Sequence, residues 1–206
     1  IAEFLLQIKA IKLSPDNPFT WASGRKSPIY CDNRKTLSYP AIRTYIRKEY
    51  VKIINQSFGR PDIIAGVATG GIAQGALIAQ EMGLPFVYIR SEAKKHGLTN
   101  MIEGVVEKGQ SVIVVEDLIS TGGSSLKAVD ALKEAGCIVK GMVAIFTYGF
   151  DEATENFKKA NILVKTLTDY NILIEEALKK DFINEKDVDS LKAWRKDPAK
   201  WGLLTK

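Results

Sequence analysis

Two carboxylates, Glu116 and Asp117, stand side by side directly after four β-branched aliphatic residues, Val112-Ile113-Val114-Val115, and are followed by Leu118-Ile119-Ser120-Thr121-Gly122-Gly123-Ser124. Four such aliphatics in a row make a strand buried on both faces. Ligands of open α/β sheets bind outside the carboxyl ends of strands, which is where this run puts its acids, hydroxyls and glycines. Gly122 and Gly123 let the backbone approach a ligand closely. The N–H groups of a helix start, with the hydroxyls of Ser120, Thr121, Ser124 and Ser125, then make a cradle for a phosphate monoester. Glu116 and Asp117 would repel a phosphate that touched them, so they should face hydroxyls or a metal ion. A sugar phosphate meets both demands. The plainer alternative is a helix N-cap at Ser120 or Thr121 with incidental acids beside it.

Two other segments carry charge or glycine in a suggestive place. Ala68-Thr69-Gly70-Gly71 lies between an apolar run and a helical pattern and offers backbone N–H groups to an anion; no Gly-Lys-Ser/Thr follows, which excludes a Walker loop, and a Gly-Gly turn alone is a weak signal. Arg90, Lys94, Lys95 and the single histidine, His96, fall within seven residues. Most of them lie in the stretch 91–103, polar, charged and without periodicity, and a connection of that kind reads as a lid or binding loop.

The elements that must position these groups alternate from Pro61 onward as strand and helix, the pattern of a parallel sheet. Strands are expected over 63–67, 86–90, 112–115 and 137–146, with a short one over 162–164. Helices are expected over 72–82, around Leu126, Val129 and Leu132 up to Gly136, and over 152–159 and 169–179. A surface helix over 184–195 then precedes a frayed tail with Pro198, Trp201 and Leu203. Residues 1–60 read differently, with a helix over 2–11, an irregular or β segment over 19–32 and a helix over 41–58. The expected division is therefore a hood over 1–60, an α/β core over 61–180, and a C-terminal helix and tail over 181–206.

The chain has 206 residues, 46% hydrophobic and 26% charged, which is room for one ordinary domain with extensions and enough apolar surface to fold. Apolar runs are far shorter than the roughly 20 residues of a bilayer crossing. The first residues mix Glu3, Gln7, Lys9 and Lys12 into their apolar pattern, unlike a secretory signal, and a cytoplasmic location is expected. Cys31 and Cys137 are too far apart for a C-x-x-C pair and read as buried or half-buried thiols. The net charge of +5 concentrates in residues 1–60, where eleven Lys/Arg face four Asp/Glu. That segment has no long basic run and no nucleic-acid-binding pattern, so anionic small molecules account for the excess; neither nucleic acid nor membrane is an expected partner.

The run from Val112 to Ser124 closely resembles the phosphoribosyl pyrophosphate (PRPP) signature of the type I phosphoribosyltransferases. Two more segments narrow the resemblance to the orotate phosphoribosyltransferase family. Phe19-Thr20-Trp21-Ala22-Ser23-Gly24-Arg25-Lys26-Ser27-Pro28-Ile29-Tyr30-Cys31-Asp32-Asn33-Arg34 is similar to its N-terminal segment, and Tyr88-Ile89-Arg90-Ser91-Glu92-Ala93-Lys94-Lys95-His96-Gly97 to its catalytic loop. The similarity runs from about residue 3 to residue 178. It implies an α/β type I phosphoribosyltransferase fold, a central and mostly parallel sheet flanked by helices, with an N-terminal hood.

The implied reaction is displacement of pyrophosphate from C1 of PRPP by N1 of orotate, with Mg²⁺ present. Such chemistry needs cations on the leaving group, tolerance of oxocarbenium-like charge on the ribose, and exclusion of water. The resemblance assigns PRPP to Arg90, Lys94 and His96, to Thr69 and Gly70 of a pyrophosphate loop, and to Glu116, Asp117, Leu118, Ile119, Ser120, Thr121, Gly122, Gly123 and Ser124. Orotate falls to Lys26 and Ser120, with main-chain contacts at Ile29 and Tyr30. Lys26, Arg90, Lys94, His96 and Asp117 form the implied catalytic set. Mg²⁺ needs no protein ligand, because PRPP and water offer oxygens enough. A homodimer is also implied, its 91–103 loop reaching the partner's site.

Two positions depart from the family pattern. Many relatives carry a second basic residue after the arginine, where Ser91 stands here, and some carry an aromatic–lysine pair in the loop that here reads Ala68-Thr69-Gly70-Gly71. Arg34 reads as an ion-pair partner and Trp21 as a packing residue. Trp194 and Trp201 receive no role. Another base as acceptor, or a non-catalytic PRPP-binding regulator, are the competing readings; the first is disfavoured by residues 19–34 and the second by retention of Arg90, Lys94 and His96.

Overall fold

The computed structural model describes residues 1–21, 24, 26–91 and 101–201. The chain begins with a short helix, α1 (Ala2–Gln7), that stops sooner than its apolar pattern suggests. Lys9 takes a φ of 54° and the chain turns into strand β1 (Ile11–Leu13). A small hairpin, β2 (Phe19–Thr20) with β3 (Lys26–Ser27), leads to β4 (Ile29–Cys31), which returns antiparallel to β1. A 3-10 turn (Asn33–Ser38) then feeds α2 (Pro40–Ser57), with proline at its first position, where its missing N–H costs no hydrogen bond.

The α/β portion follows as β5 (Ile63–Val67), α3 (Gly70–Met82), β6 (Phe86–Ile89), β7 (Ile102–Glu103), β8 (Ser111–Ile119), α4 (Gly123–Glu134), β9 (Ile138–Thr147), α5 (Asp151–Lys159), β10 (Val164–Asp169), α6 (Tyr170–Lys179) and α7 (Glu185–Lys196). The main sheet has six strands in the order β10-β9-β8-β5-β6-β7, parallel except for β7. β7 lies inside the stretch expected to lack structure. Two residues are too few to show a period, and pairing Ile102 with Ile89 is what defines the strand. β10 starts two residues later than expected, because α5 closes through Asn161 at φ 54° and only then does the chain meet β9. Gly136 ends the turn after α4 at φ 85°, as expected from the sequence.

Alternation along the central strands divides the core in two. Ile64, Ile113, Val115, Val143 and Ile145 join one cluster with α1, α2, α3, α6 and α7. Ile63, Ala65, Val67, Val112, Val114, Met142 and Ala144 join a second with α4 and α5. The first cluster runs without a break through residues on both sides of the expected boundaries at 60/61 and 180/181. α7 is no surface helix: Leu191 and Trp194 are both 0% exposed. The Trp194 ring lies 5.5–6.0 Å from those of Trp21, Tyr148, Phe150 and Tyr170. Among the described residues no helix is long and apolar enough to cross a membrane.

Candidate active site

The direction of winding reverses between β5 and β8. From β5 the chain proceeds outward through β6; it then crosses back to β8 and proceeds the other way through β9 and β10. A crevice at such a switch point is where open α/β sheets take their ligands. Both glycine-bearing segments converge there, Thr69-Gly70-Gly71 after β5 and Ser120-Thr121-Gly122-Gly123 after β8. The approach is close. A Cβ on Gly71 would run into the Val115 carbonyl, and one on Gly70 into the Asp117 carboxylate. The Ala68–Thr69 peptide is cis.

β8 is longer than its aliphatic run and carries both acids within the strand. Its ladder with β5 ends at Gly66–Val115, while that with β9 continues to Ile119–Thr147. Beyond Val115 two carbonyls of β8 are held by side chains of the N-terminal segment. Tyr50, wholly buried, donates its hydroxyl to the Glu116 carbonyl at 2.8 Å, and Asn33 donates Nδ2 to the Asp117 carbonyl at 2.7 Å. Asn33 Oδ1 accepts from Cys31 Sγ at 3.3 Å. Neither Asn33 nor Tyr50 stood out in the sequence, since a single polar group on a buried face has no pattern.

The two carboxylates occupy different environments. Glu116 is buried; its Oε1 accepts from the Asp117 N–H at 3.0 Å and its Oε2 from the Ser125 hydroxyl at 3.1 Å. Burial first, and then the neighbouring Asp117 charge, hold Glu116 well above the ordinary carboxylate range. Ser125, counted from sequence among the phosphate hydroxyls, is instead spent on Glu116. Asp117 is half-buried against Gly70. Leu118 and Ile119 pack their side chains into the two hydrophobic clusters, leaving only their backbone for a ligand.

After Ile119 the chain turns into an uncapped helix start. Gly122 is the N-cap of α4 at φ 82°, a left-handed conformation that suits glycine, and no side chain caps the helix. Thr121, Gly123 and Ser124 are exposed and Ser120 is half-buried. α5 braces this turn from beneath: the Phe157 ring would obstruct a Cβ on Gly122, and Asn156 donates to the Thr121 carbonyl at 3.2 Å. The arrangement offers an anion the backbone groups of a helix start together with three hydroxyls.

The remaining predicted residues divide. Arg90 directly follows β6, donates its N–H to the Met101 carbonyl at 2.9 Å and pairs with Glu103 at 3.5 Å, so it sits at the base of the 91–103 segment. Lys94 and His96, with Lys95, lie outside the described residues, as does Arg25. Lys26 is exposed on the β2–β3 hairpin and donates to Thr20 Oγ1 at 2.7 Å. Ile29 is buried, with its N–H and carbonyl both bonded to the Ser27 hydroxyl, and Tyr30 is exposed beside Phe19. Arg34 pairs with Asp32 at 2.7 Å, the ion pair expected for it.

Next to Ser120 and Thr121 opens a cleft of about 660 Å³, bounded by Trp21, by the Gly149–Glu152 turn and by the end of α7. Lys26 lines a different cavity, of about 490 Å³, between the hairpin and α7. Among the described residues no cluster of three or more acidic, cysteine or histidine side chains could hold a metal.

A mostly parallel sheet with two glycine turns at its switch point, an acid pair entering an uncapped helix start and an N-terminal segment packed into the same core define a type I phosphoribosyltransferase fold. A family model for the phosphoribosyl transferase domain matches residues 37–179. The chain is 62% identical to the orotate phosphoribosyltransferase of Phocaeicola vulgatus over 97% of its own length and 94% of the relative's. It is 58% identical to that of Porphyromonas gingivalis over 98% and 97% of the two chains. The crystal structure of orotate phosphoribosyltransferase from Aeropyrum pernix superposes with a TM-score of 0.76 at 27% identity, covering 85% of this chain and 96% of that one. The chain belongs to the orotate phosphoribosyltransferase family.

Proposed function

We infer that this chain transfers the 5-phosphoribosyl group of PRPP to N1 of orotate, giving orotidine 5′-monophosphate and pyrophosphate in the synthesis of pyrimidine nucleotides. The observation that carries the reading is the 62% identity to a named orotate phosphoribosyltransferase across nearly the whole of both chains. In the reaction the C1–O bond to pyrophosphate breaks, the C1–N1 bond forms and orotate gives up its N1 proton.

The division of labour we propose follows the site. The turn from Ser120 to Ser124 holds the 5′-phosphate with backbone N–H groups and hydroxyls. Asp117, the more open of the two acids, takes the ribose hydroxyls. Glu116 holds the Asp117 N–H and so fixes the strand end. Thr69 and Gly70 stand to the pyrophosphate, with Arg90 at the base of the loop that brings Lys94 and His96 over it. Charge from that loop offsets the leaving group's charge, and His96 donates a proton or hydrogen bond to the departing oxygen. Ser120 serves orotate from the 660 Å³ cleft and Lys26 from the adjoining hairpin, with the backbone at Tyr30; Ile29, whose N–H and carbonyl both bond to the Ser27 hydroxyl, is left to hold the strand.

Mg²⁺ fits this donor set as an ion carried by PRPP oxygens and water, with Asp117 the one open carboxylate of the pair, and its chemistry there is neutralisation of the diphosphate. A homodimer in which the 91–103 loop serves the partner's site completes the proposal.

The test is a spectrophotometric assay of orotate consumption with PRPP and Mg²⁺, run beside uracil, hypoxanthine and adenine. Consumption of orotate alone is expected. Turnover of another base without loss of orotate would reject the reading.

A further inference from the structure

The end of α7 lines the same 660 Å³ cleft as Ser120 and Thr121 and brings Lys192, Arg195 and Lys196 to it. This end of the helix is held firmly. Trp194 is 0% exposed among four aromatic rings, Tyr170 donates its hydroxyl to the Leu191 carbonyl at 3.0 Å, and Arg195 is the next residue after Trp194. Burial of Trp194 therefore fixes where Arg195 projects.

Arg195 is half-buried. Its Nη1 donates to Asn171 Oδ1 at 3.3 Å, and its Nε lies 3.9 Å from where a Cβ on Gly149 would stand. Of the guanidinium's five donors only one is spent in this way, among the described residues. Trp21 and Phe150 add aromatic surface, and Asp151 and Glu152 also line the cleft. Asp197 pairs with Lys200 at 3.3 Å, whereas among the described residues neither Lys192 nor Arg195 forms an ion pair. A flat anionic ring in this cleft would be repelled by those acids and drawn to the cations of α7. Arginine is suited to receive it, because its planar fork matches a carboxylate with two parallel hydrogen bonds.

We propose that Arg195, supported by Lys192, binds the carboxylate of the acceptor base, so that the C-terminal helix sets the choice of orotate over bases without that group. The proposal rests on the transferase reading above. It gives a role to a segment whose sequence carried no recognisable motif, and it places a cation of the acceptor site on an element remote in sequence from Lys26.

The experiment is steady-state kinetics on the full chain and on R195Q, R195K and K192A, with thermal melts of each. R195Q is expected to raise the KM for orotate about tenfold to a hundredfold, the usual effect of losing a charged hydrogen-bond partner, with the KM for PRPP within about twofold. R195K should recover part of the loss, K192A should raise the orotate KM by a smaller factor, and the preference for orotate over uracil should fall in R195Q. An unchanged orotate KM in R195Q overturns the proposal. So does an equal rise in both KM values, or a fall in kcat with both KM values unchanged, since either reports only disturbed packing. Failure of the unaltered chain to consume orotate is a different result, seen before any substitution, and removes the transferase reading together with this one.

Discussion

Replacing Tyr50 with phenylalanine removes one oxygen and leaves the ring in place, so the loss can be worked out from a single contact. The hydroxyl donates to the Glu116 carbonyl at 2.8 Å from a residue with no exposed surface. The position is closed to bulk solvent. A typical internal hydrogen bond contributes about 1 kcal/mol, and a buried carbonyl left without a partner costs about 1–3 kcal/mol. Because phenylalanine fills the same volume, no cavity adds to this, and a destabilisation of about 1–2 kcal/mol is expected. For a chain of this size that corresponds to a fall in Tm of roughly 3–6 °C. The same bond ties down β8 where it has lost β5 as a neighbour, so the KM for PRPP should rise as well. Calorimetry and steady-state kinetics read the two effects. A Tm within about 1 °C of the unaltered chain would refute the claim that this hydroxyl anchors the strand.

Further outcomes follow from the same site. Glu116 keeps its proton in the folded chain at pH values where the unfolded chain, with an ordinary value of 4.5, has released it. Stability therefore falls as pH rises above that point, by at most about 1.4 kcal/mol per pH unit, and Glu116→Gln should flatten the slope in denaturant titrations at several pH values. Gly71→Ala should lower both Tm and affinity for PRPP, because the added methyl meets the Val115 carbonyl and neither backbone can yield; melting and kinetics together check it. Lys94→Ala or His96→Ala should lower kcat while calorimetric PRPP binding remains measurable, and unchanged turnover would take the loop out of the mechanism.

The legible parts of the fold were those with strong local periodicity. Four aliphatics in a row announced β8, and the glycines after two apolar runs announced the turns that open α3 and α4. The supports of the site were not legible in this way. Asn33 and Tyr50 act across 84 and 66 residues of chain, through one hydrogen bond each, and such pairings leave no mark on local spacing. Ser125 looked like its hydroxyl neighbours, yet one turn of helix directs it at Glu116. α7 could have been read further: Val188, Leu191 and Trp194 recur every three residues, a buried stripe hidden among charges. β7 escaped because two residues cannot display alternation.

The contact between Trp21 and Trp194 also bears on how the protein is made. Their rings meet 6.0 Å apart although 173 positions separate them. At about 5–20 residues per second, a ribosome needs roughly 10–35 s to travel from one to the other. Over that interval Trp21 has, among the described residues, only Tyr148 as a ring neighbour, and a chain cut short before α7 would leave Trp21, Tyr148 and Phe150 without the indole that they share.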